Sequence, residues 1–169
     1  MKIIVILILL VVTLSGCGTF NLSGWIMPGD LEFLAVIENL DTPEKICNYM
    51  KENFTYKEHP FYAPDPYTTW QIKEGDCNDL AIFAIFIANY HGYKVYQIHI
   101  HFKGTFIKHF LAVYIENGKY TYSNIKAYCP ICADTFEEVI SDFFKTCFEY
   151  ELRKYKVYDY EMNLVEEGH

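Results

Sequence analysis

Gly75-Asp76-Cys77-Asn78-Asp79-Leu80-Ala81-Ile82-Phe83-Ala84-Ile85-Phe86-Ile87-Ala88-Asn89-Tyr90 is the stretch on which the fold turns. From Asn78 to Tyr90 it holds neither Gly nor Pro and is apolar on nearly every side, the pattern of a helix set in the middle of a core. Gly92 follows as a stop signal. At the other end, Gly75-Asp76 forms a turn that other groups can approach closely, and Asp76 is placed to cap the helix. Cys77 therefore sits in the first turn. Free N–H groups and the positive end of the helix dipole favour a thiolate there, which predicts a lowered thiol pKa. The same N–H groups suit an oxyanion. Asp76 and Asp79 add negative charge nearby, so the thiolate needs a basic partner.

The chain after the helix supplies one. Tyr93 to Phe102 (YKVYQIHIHF), Phe106 to Glu116 (FIKHFLAVYIE) and Lys119 to Ile125 (KYTYSNI) are rich in β-branched and aromatic residues and read as strands. Asn117-Gly118 is the strongest two-residue hairpin signal, and a turn there pairs Glu116 with Lys119 and Leu111 with Asn124. Side chains alternate with period two, so His109, Leu111, Val113 and Asn124 share one face. His109 and Asn124 then lie on a diagonal, roughly 7–8 Å apart at Cα, within reach of a side-chain hydrogen bond. An amide orienting an imidazole beside a thiol is a nucleophile, base and orienter set.

Gly75-Asp76-Cys77-Asn78-Asp79-Leu80-Ala81 opening an apolar helix, then a strand with Lys108-His109-Phe110, then a strand with Tyr122-Ser123-Asn124, resembles the transglutaminase-like superfamily over about residues 68–126. The resemblance implies an α+β fold with a papain/transglutaminase-like core: a central buried helix carrying the Cys, packed on an antiparallel sheet carrying His and Asn. It implies a catalytic set of Cys77, His109 and Asn124. The family's third member is Asp, whereas Asn124 here is the residue that papain-like proteases use. Losing that negative charge lowers the expected pKa of His109 and weakens its hold on a thiolate. Gln71 stands before Cys77 at a spacing similar to that of the oxyanion-hole glutamine of papain-like enzymes.

Upstream, Asp30-Leu31 begins an apolar segment to about Leu40 that reads as a helix, and Thr42-Pro43-Glu44 is a clear helix start for a run to about Asn53. Residues 57–69 (KEHPFYAPDPYTT), with their prolines and aromatics, read as an ordered but irregular loop. Downstream, Asp134 with Glu137 opens a last helix to about Tyr150, and Arg153 to Tyr160 alternates like an edge strand. One domain over 30–162 follows, with 163–169 as a tail.

The first residues are a targeting segment. Met1-Lys2, the apolar run Ile3 to Val12 and Leu14-Ser15-Gly16-Cys17 fit a signal peptide over 1–16, short of the roughly 20 apolar residues of a membrane span. The ending resembles the lipobox of bacterial lipoproteins, which implies cleavage before Cys17, lipid on its thiol and a membrane-anchored location outside the cytoplasm. An ordinary secretory signal cut nearby is the other reading. Residues 17–29 then form a tether. Export permits oxidised thiols. With Cys17 lipidated, Cys47, Cys77, Cys129, Cys132 and Cys147 remain, an odd number. Pairing Cys129 with Cys132 and Cys47 with Cys147 leaves Cys77 free, but other pairings satisfy the count. Cys129-Pro130-Ile131-Cys132 falls where a loop is expected before a helix, against a thioredoxin-like redox motif.

Of 169 residues, 51% are hydrophobic and 18% aromatic, which excludes a disordered chain. A net charge of -8 without a basic run argues against a nucleic-acid partner. His99 and His101, two apart on one strand, read as solvated rather than as metal ligands. His59 and His169 have no supporting neighbours in sequence. No metal or cofactor is expected. Two functions remain. One is an exported cysteine hydrolase or acyltransferase acting on a peptide, protein or cell-wall amide through an acyl-enzyme. The other is an inactive module of the same fold that holds a peptide or cell-envelope ligand in its groove.

Overall fold

The computed structural model describes residues 29–59, 64–146 and 149–169. The expected signal segment 1–16, Cys17, the tether up to residue 28 and Cys147 lie outside the described residues. Among the described residues, five helices and eight strands run in the order α1 (Leu31–Asn39), α2 (Pro43–Asn53), β1 (Thr55–Tyr56), α3 (Pro66–Ile72), β2 (Glu74–Gly75), α4 (Cys77–Tyr90), β3 (Val95–Phe102), β4 (Lys108–Glu116), β5 (Lys119–Asn124), β6 (Ala127–Ala133), α5 (Phe136–Thr146), β7 (Leu152–Tyr158) and β8 (Leu164–Gly168). Six of the strands form one antiparallel sheet in the order β6-β5-β4-β3-β7-β8. The pair β1-β2 is a separate short parallel ribbon.

The sheet divides two cores. One face packs on α1 to α4 through Phe33, Ile46, Met50, Leu80, Phe83 and Tyr114. The other packs on α5 through Ile98, Ile100, Leu111, Val113, Phe143 and Val157. Helix α4 is the centre of the first core, with Leu80, Phe83, Ala84, Ile87 and Ala88 all fully buried. This is the expected α+β arrangement, a Cys-bearing buried helix on an antiparallel sheet.

Local chemistry explains the ends of the elements. The Asp30 carboxylate accepts from the N–H groups of Glu32 and Phe33, and Thr42 Oγ1 accepts from Lys45, closing α1 and α2 at their first turns. Asn117 and Gly118 both have positive φ, at 53° and 78°, which makes the tight turn whose twist matches the strands. The resulting register pairs Glu116 with Lys119 and Leu111 with Asn124, as the turn predicts.

Five expectations change. Residues 66–72, which begin inside the expected 57–69 loop and run past its end, form α3, because Asp65 caps the helix and Pro66 stands at its first position. Helix α5 starts one residue later than Asp134 implies. Thr135 Oγ1 accepts from the Glu138 N–H while Glu138 accepts from the Asp134 N–H, a capping pair in the next frame. Cys129-Pro130-Ile131-Cys132 lies within β6 rather than in a loop, with both thiols free. Strand β7 is interior, since residues 164–168 of the expected tail add β8 beyond it. His99 is packed between the rings of Phe110 and Tyr158 rather than solvated.

Candidate active site

Cys77 is the first residue of α4 and is only 9% exposed. Asp76 caps the helix, its carboxylate accepting from the N–H groups of Asn78 and Asp79, while the Asp79 carboxylate accepts in return from the Asp76 N–H at 2.8 Å. Gly75 makes room for this exchange. A Cβ there would stand 2.9 Å from Asp79 Cβ and 3.1 Å from its Oδ2.

The thiol is not acidified. Burial pushes the Cys77 thiol up to about 11, and the Asp76 charge pushes in the same direction. The backbone N–H groups of Phe110, Cys77 and Asn78 favour the thiolate but do not outweigh those two effects. The lowered pKa expected from the helix start alone is thus reversed, and Cys77 rests as a neutral thiol. The Phe110 N–H at the sulfur also brings the start of β4 to the nucleophile.

His109 is the residue before Phe110. Its Nε2 is 2.8 Å from Asn124 Oδ1, so the ring donates to the amide oxygen, and the pair predicted from the hairpin register is formed. Its ring stacks on Phe143 of α5 with centroids 5.2 Å apart and planes at 16°. Burial lowers the His109 pKa, and the Asn124 hydrogen bond raises it less. The ring is therefore a neutral base at neutral pH. With Nε2 committed to Asn124, Nδ1 is the nitrogen left to take a proton. No hydrogen bond joins it to Cys77; the His109 ring lies with Leu111 and Val113 on the sheet face that packs on α5, whereas α4 packs on the other.

No protein-family model matches the chain, and no curated protein matches it in sequence. Among solved structures, an EGTA-treated LapG of Legionella pneumophila matches with a TM-score of 0.51 at 11% identity, over 78% of this chain and 77% of that one. A calcium-bound LapG of the same organism matches with a TM-score of 0.49 at 13% identity, over 72% and 70%. The chain has a transglutaminase-like fold.

Within that fold, Gln71 is on α3, exposed and without a hydrogen bond, so the oxyanion role expected of it has no support in the resting geometry. Asp76 takes the N–H groups of Asn78 and Asp79, which leaves the Cys77 and Phe110 N–H groups as the backbone donors near the sulfur. Tyr56 is a neighbour that sequence reasoning missed. Its hydroxyl lies beside the Cys77 thiol, and burial followed by the nearby charges raises its pKa to about 12, keeping it a neutral donor. It arrives through β1, whose residue Tyr56 pairs with Gly75. Two-residue strands leave no periodic signal, so nothing in the sequence marks it.

His59 is the other surprise. Its Nε2 meets Asp79 Oδ2 at 2.5 Å, and Asp79 is fully buried with Oδ1 lacking any protein partner. Burial raises the Asp79 pKa. Ligand atoms of His59, Asp76 and Asp79 lie within 4.8 Å of one another, beside Cys77. Two carboxylates and an imidazole are a donor set able to hold a divalent cation. His99 and His101, by contrast, do not gather a third ligand among the described residues.

Proposed function

We propose that the chain is a cysteine protease of the transglutaminase-like type, cleaving an amide bond in a peptide or protein. The observation that carries the reading is the His109 Nε2 to Asn124 Oδ1 hydrogen bond at 2.8 Å, on a strand whose next backbone N–H faces the Cys77 sulfur. That bond leaves Nδ1 to serve as base and fixes the ring plane. Since the thiol and imidazole both rest neutral, the proton moves when substrate binds rather than beforehand.

The steps balance simply. His109 Nδ1 takes the thiol proton as Cys77 Sγ attacks the carbonyl carbon. The oxygen that gains charge is met by the Cys77 N–H, the one in the first turn of α4 that the Asp76 cap does not take, with the Tyr56 hydroxyl at hand. The imidazolium then gives its proton to the leaving amine, which departs and leaves a thioester on Cys77. Water, deprotonated by His109, attacks the thioester carbonyl; the C–S bond breaks, the acid is released, and the imidazolium returns its proton to Cys77 Sγ. An amine in place of water would give acyl transfer instead. Export and a lipid on Cys17, which would hold the domain at a membrane surface, belong to the same proposal and rest on the residues of the N-terminal segment alone.

Digestion of a peptide library by the purified chain, read by mass spectrometry, tests the reading. New carboxylate C-termini that vanish in Cys77→Ala are expected. Products carrying an added amine would reassign the reaction to acyl transfer. Peptides retained but never cleaved would support a binding module, which the raised thiol pKa also favours.

A further inference from the structure

A cavity of about 380 Å³ opens beside the nucleophile, between α4, the sheet and the turn that joins β7 to β8. Two of its walls are attached directly to Cys77. Asn78 is the next residue of α4, and Phe110 is the residue whose N–H faces the sulfur. Ile82 and Ile85 of α4 line it too, as do Tyr160 and Met162 from the turn, the latter 46% exposed. A side chain next to a scissile carbonyl held at Cys77 would enter here.

Its floor is polar but uncharged and internally satisfied. Gln97 is 3% exposed, and its Nε2 donates to Asn78 Oδ1 at 2.9 Å while its Oε1 accepts from His99 Nε2 at 2.8 Å. His99 is held neutral, since burial and then neighbouring positive charges push its pKa down to about 4. This chain of bonds fixes Asn78 with its amide N–H groups unpartnered by protein, the donor available to a substrate backbone carbonyl. Lys108 and Asp159, one charge of each sign, also line the cavity. Against Ile82, Ile85 and Phe110 a charged side chain would lose water that an apolar one does not need.

We infer that this cavity is the specificity subsite of the Cys77 centre and that it takes an uncharged apolar side chain, of leucine to phenylalanine size, on the residue that donates the scissile carbonyl. The inference rests on the proposed nucleophilic role of Cys77. Peptidyl chloromethyl ketones test it without knowledge of the natural substrate. Cys77 Sγ displaces chloride to form a thioether, and the thiol proton passes to His109. Probes ending in Leu, Phe, Asp or Lys are compared by the rate of mass gain at Cys77, with iodoacetamide as a probe that has no side chain.

The Leu and Phe probes are expected to label about 10-fold faster or more than the Asp and Lys probes. In Ile82→Trp, whose ring fills the cavity, the ratio is expected to fall toward one. Equal rates for all four probes in the wild-type chain, with iodoacetamide still reacting at Cys77, would overturn the subsite and leave the nucleophile standing. A preference unchanged in Ile82→Trp would place the selecting pocket elsewhere and overturn it too. A Cys77 that no probe labels would overturn the proposed function, and this inference with it.

Discussion

Asp76 caps the helix that carries Cys77 and at the same time raises the pKa of its thiol, so one carboxylate does two things that oppose each other. Asp76→Asn separates them, because Asn caps nearly as well as Asp but carries no charge. Removing the charge lowers the thiol pKa, so the rate of iodoacetamide labelling of Cys77 against pH is expected to shift toward lower pH with little change in melting temperature. An unmoved profile would mean that burial alone sets the thiol. Asn124 invites a matching experiment. Asn124→Asp adds a negative charge behind His109, raises the imidazole pKa and keeps the ring protonated to higher pH. The acidic limb of the activity profile is therefore expected to move up. Asn124→Ala removes the acceptor, lowers the His109 pKa further and frees the ring, so turnover should fall at every pH. The sign of the Cys77 shift was beyond the sequence. A helix start is visible in Gly75-Asp76-Cys77, whereas the burial that reverses its effect depends on tertiary packing that this stretch does not display.

Elements carry the site in proportion to how well they are specified. The hairpin is fixed by two residues, Asn117 and Gly118, and from them the His109 and Asn124 pairing could be counted out strand by strand. Helix α4 was equally plain, since an apolar run of that length without Gly or Pro has few alternatives. What stayed hidden were elements whose signals are local and brief or depend on partners. Helix α3 is obscured by the prolines around it, and β8 has only five residues and no pairing signal of its own. The role of α5 was also invisible. Its Phe143, 2% exposed, stacks on His109 from the face opposite α4 and holds the ring plane. Phe143→Ala is expected to cost about 3–5 kcal/mol of stability as a core truncation. It should also lower kcat while leaving KM nearly unchanged, which Phe83→Ala, a comparable truncation inside α4 away from the ring, should not. Denaturant midpoints and steady-state kinetics on the two variants separate these roles.

At the scale of the whole molecule, the proposed site draws on five separated segments: the 55–59 stretch, the start of α4, β4, β5 and α5. Their meeting is what no single stretch of sequence displays. His59 looked isolated along the chain and is in fact the partner of a fully buried carboxylate. Removing it in His59→Ala leaves the buried Asp79 carboxyl with one fewer partner, at a cost of about 1–3 kcal/mol. The direction with pH follows from Asp79. Burial raises its folded pKa, so the carboxyl protonates readily as pH falls, and a protonated Asp79 loses little when the imidazole goes. The stability deficit of His59→Ala, read from urea midpoints, is therefore expected to be largest at neutral pH and to shrink toward acid pH. A deficit independent of pH would point to packing rather than charge.

The central claim is that His109, held by Asn124, serves as the base for Cys77. Acylation of Cys77 by p-nitrophenyl acetate at neutral pH, followed as p-nitrophenol release and as one acetyl group gained per chain, reads that step alone. The account predicts that His109→Ala slows acylation about 100-fold or more, while the variant keeps its fold by circular dichroism. Equal acylation rates in the folded wild-type and His109→Ala chains would contradict it.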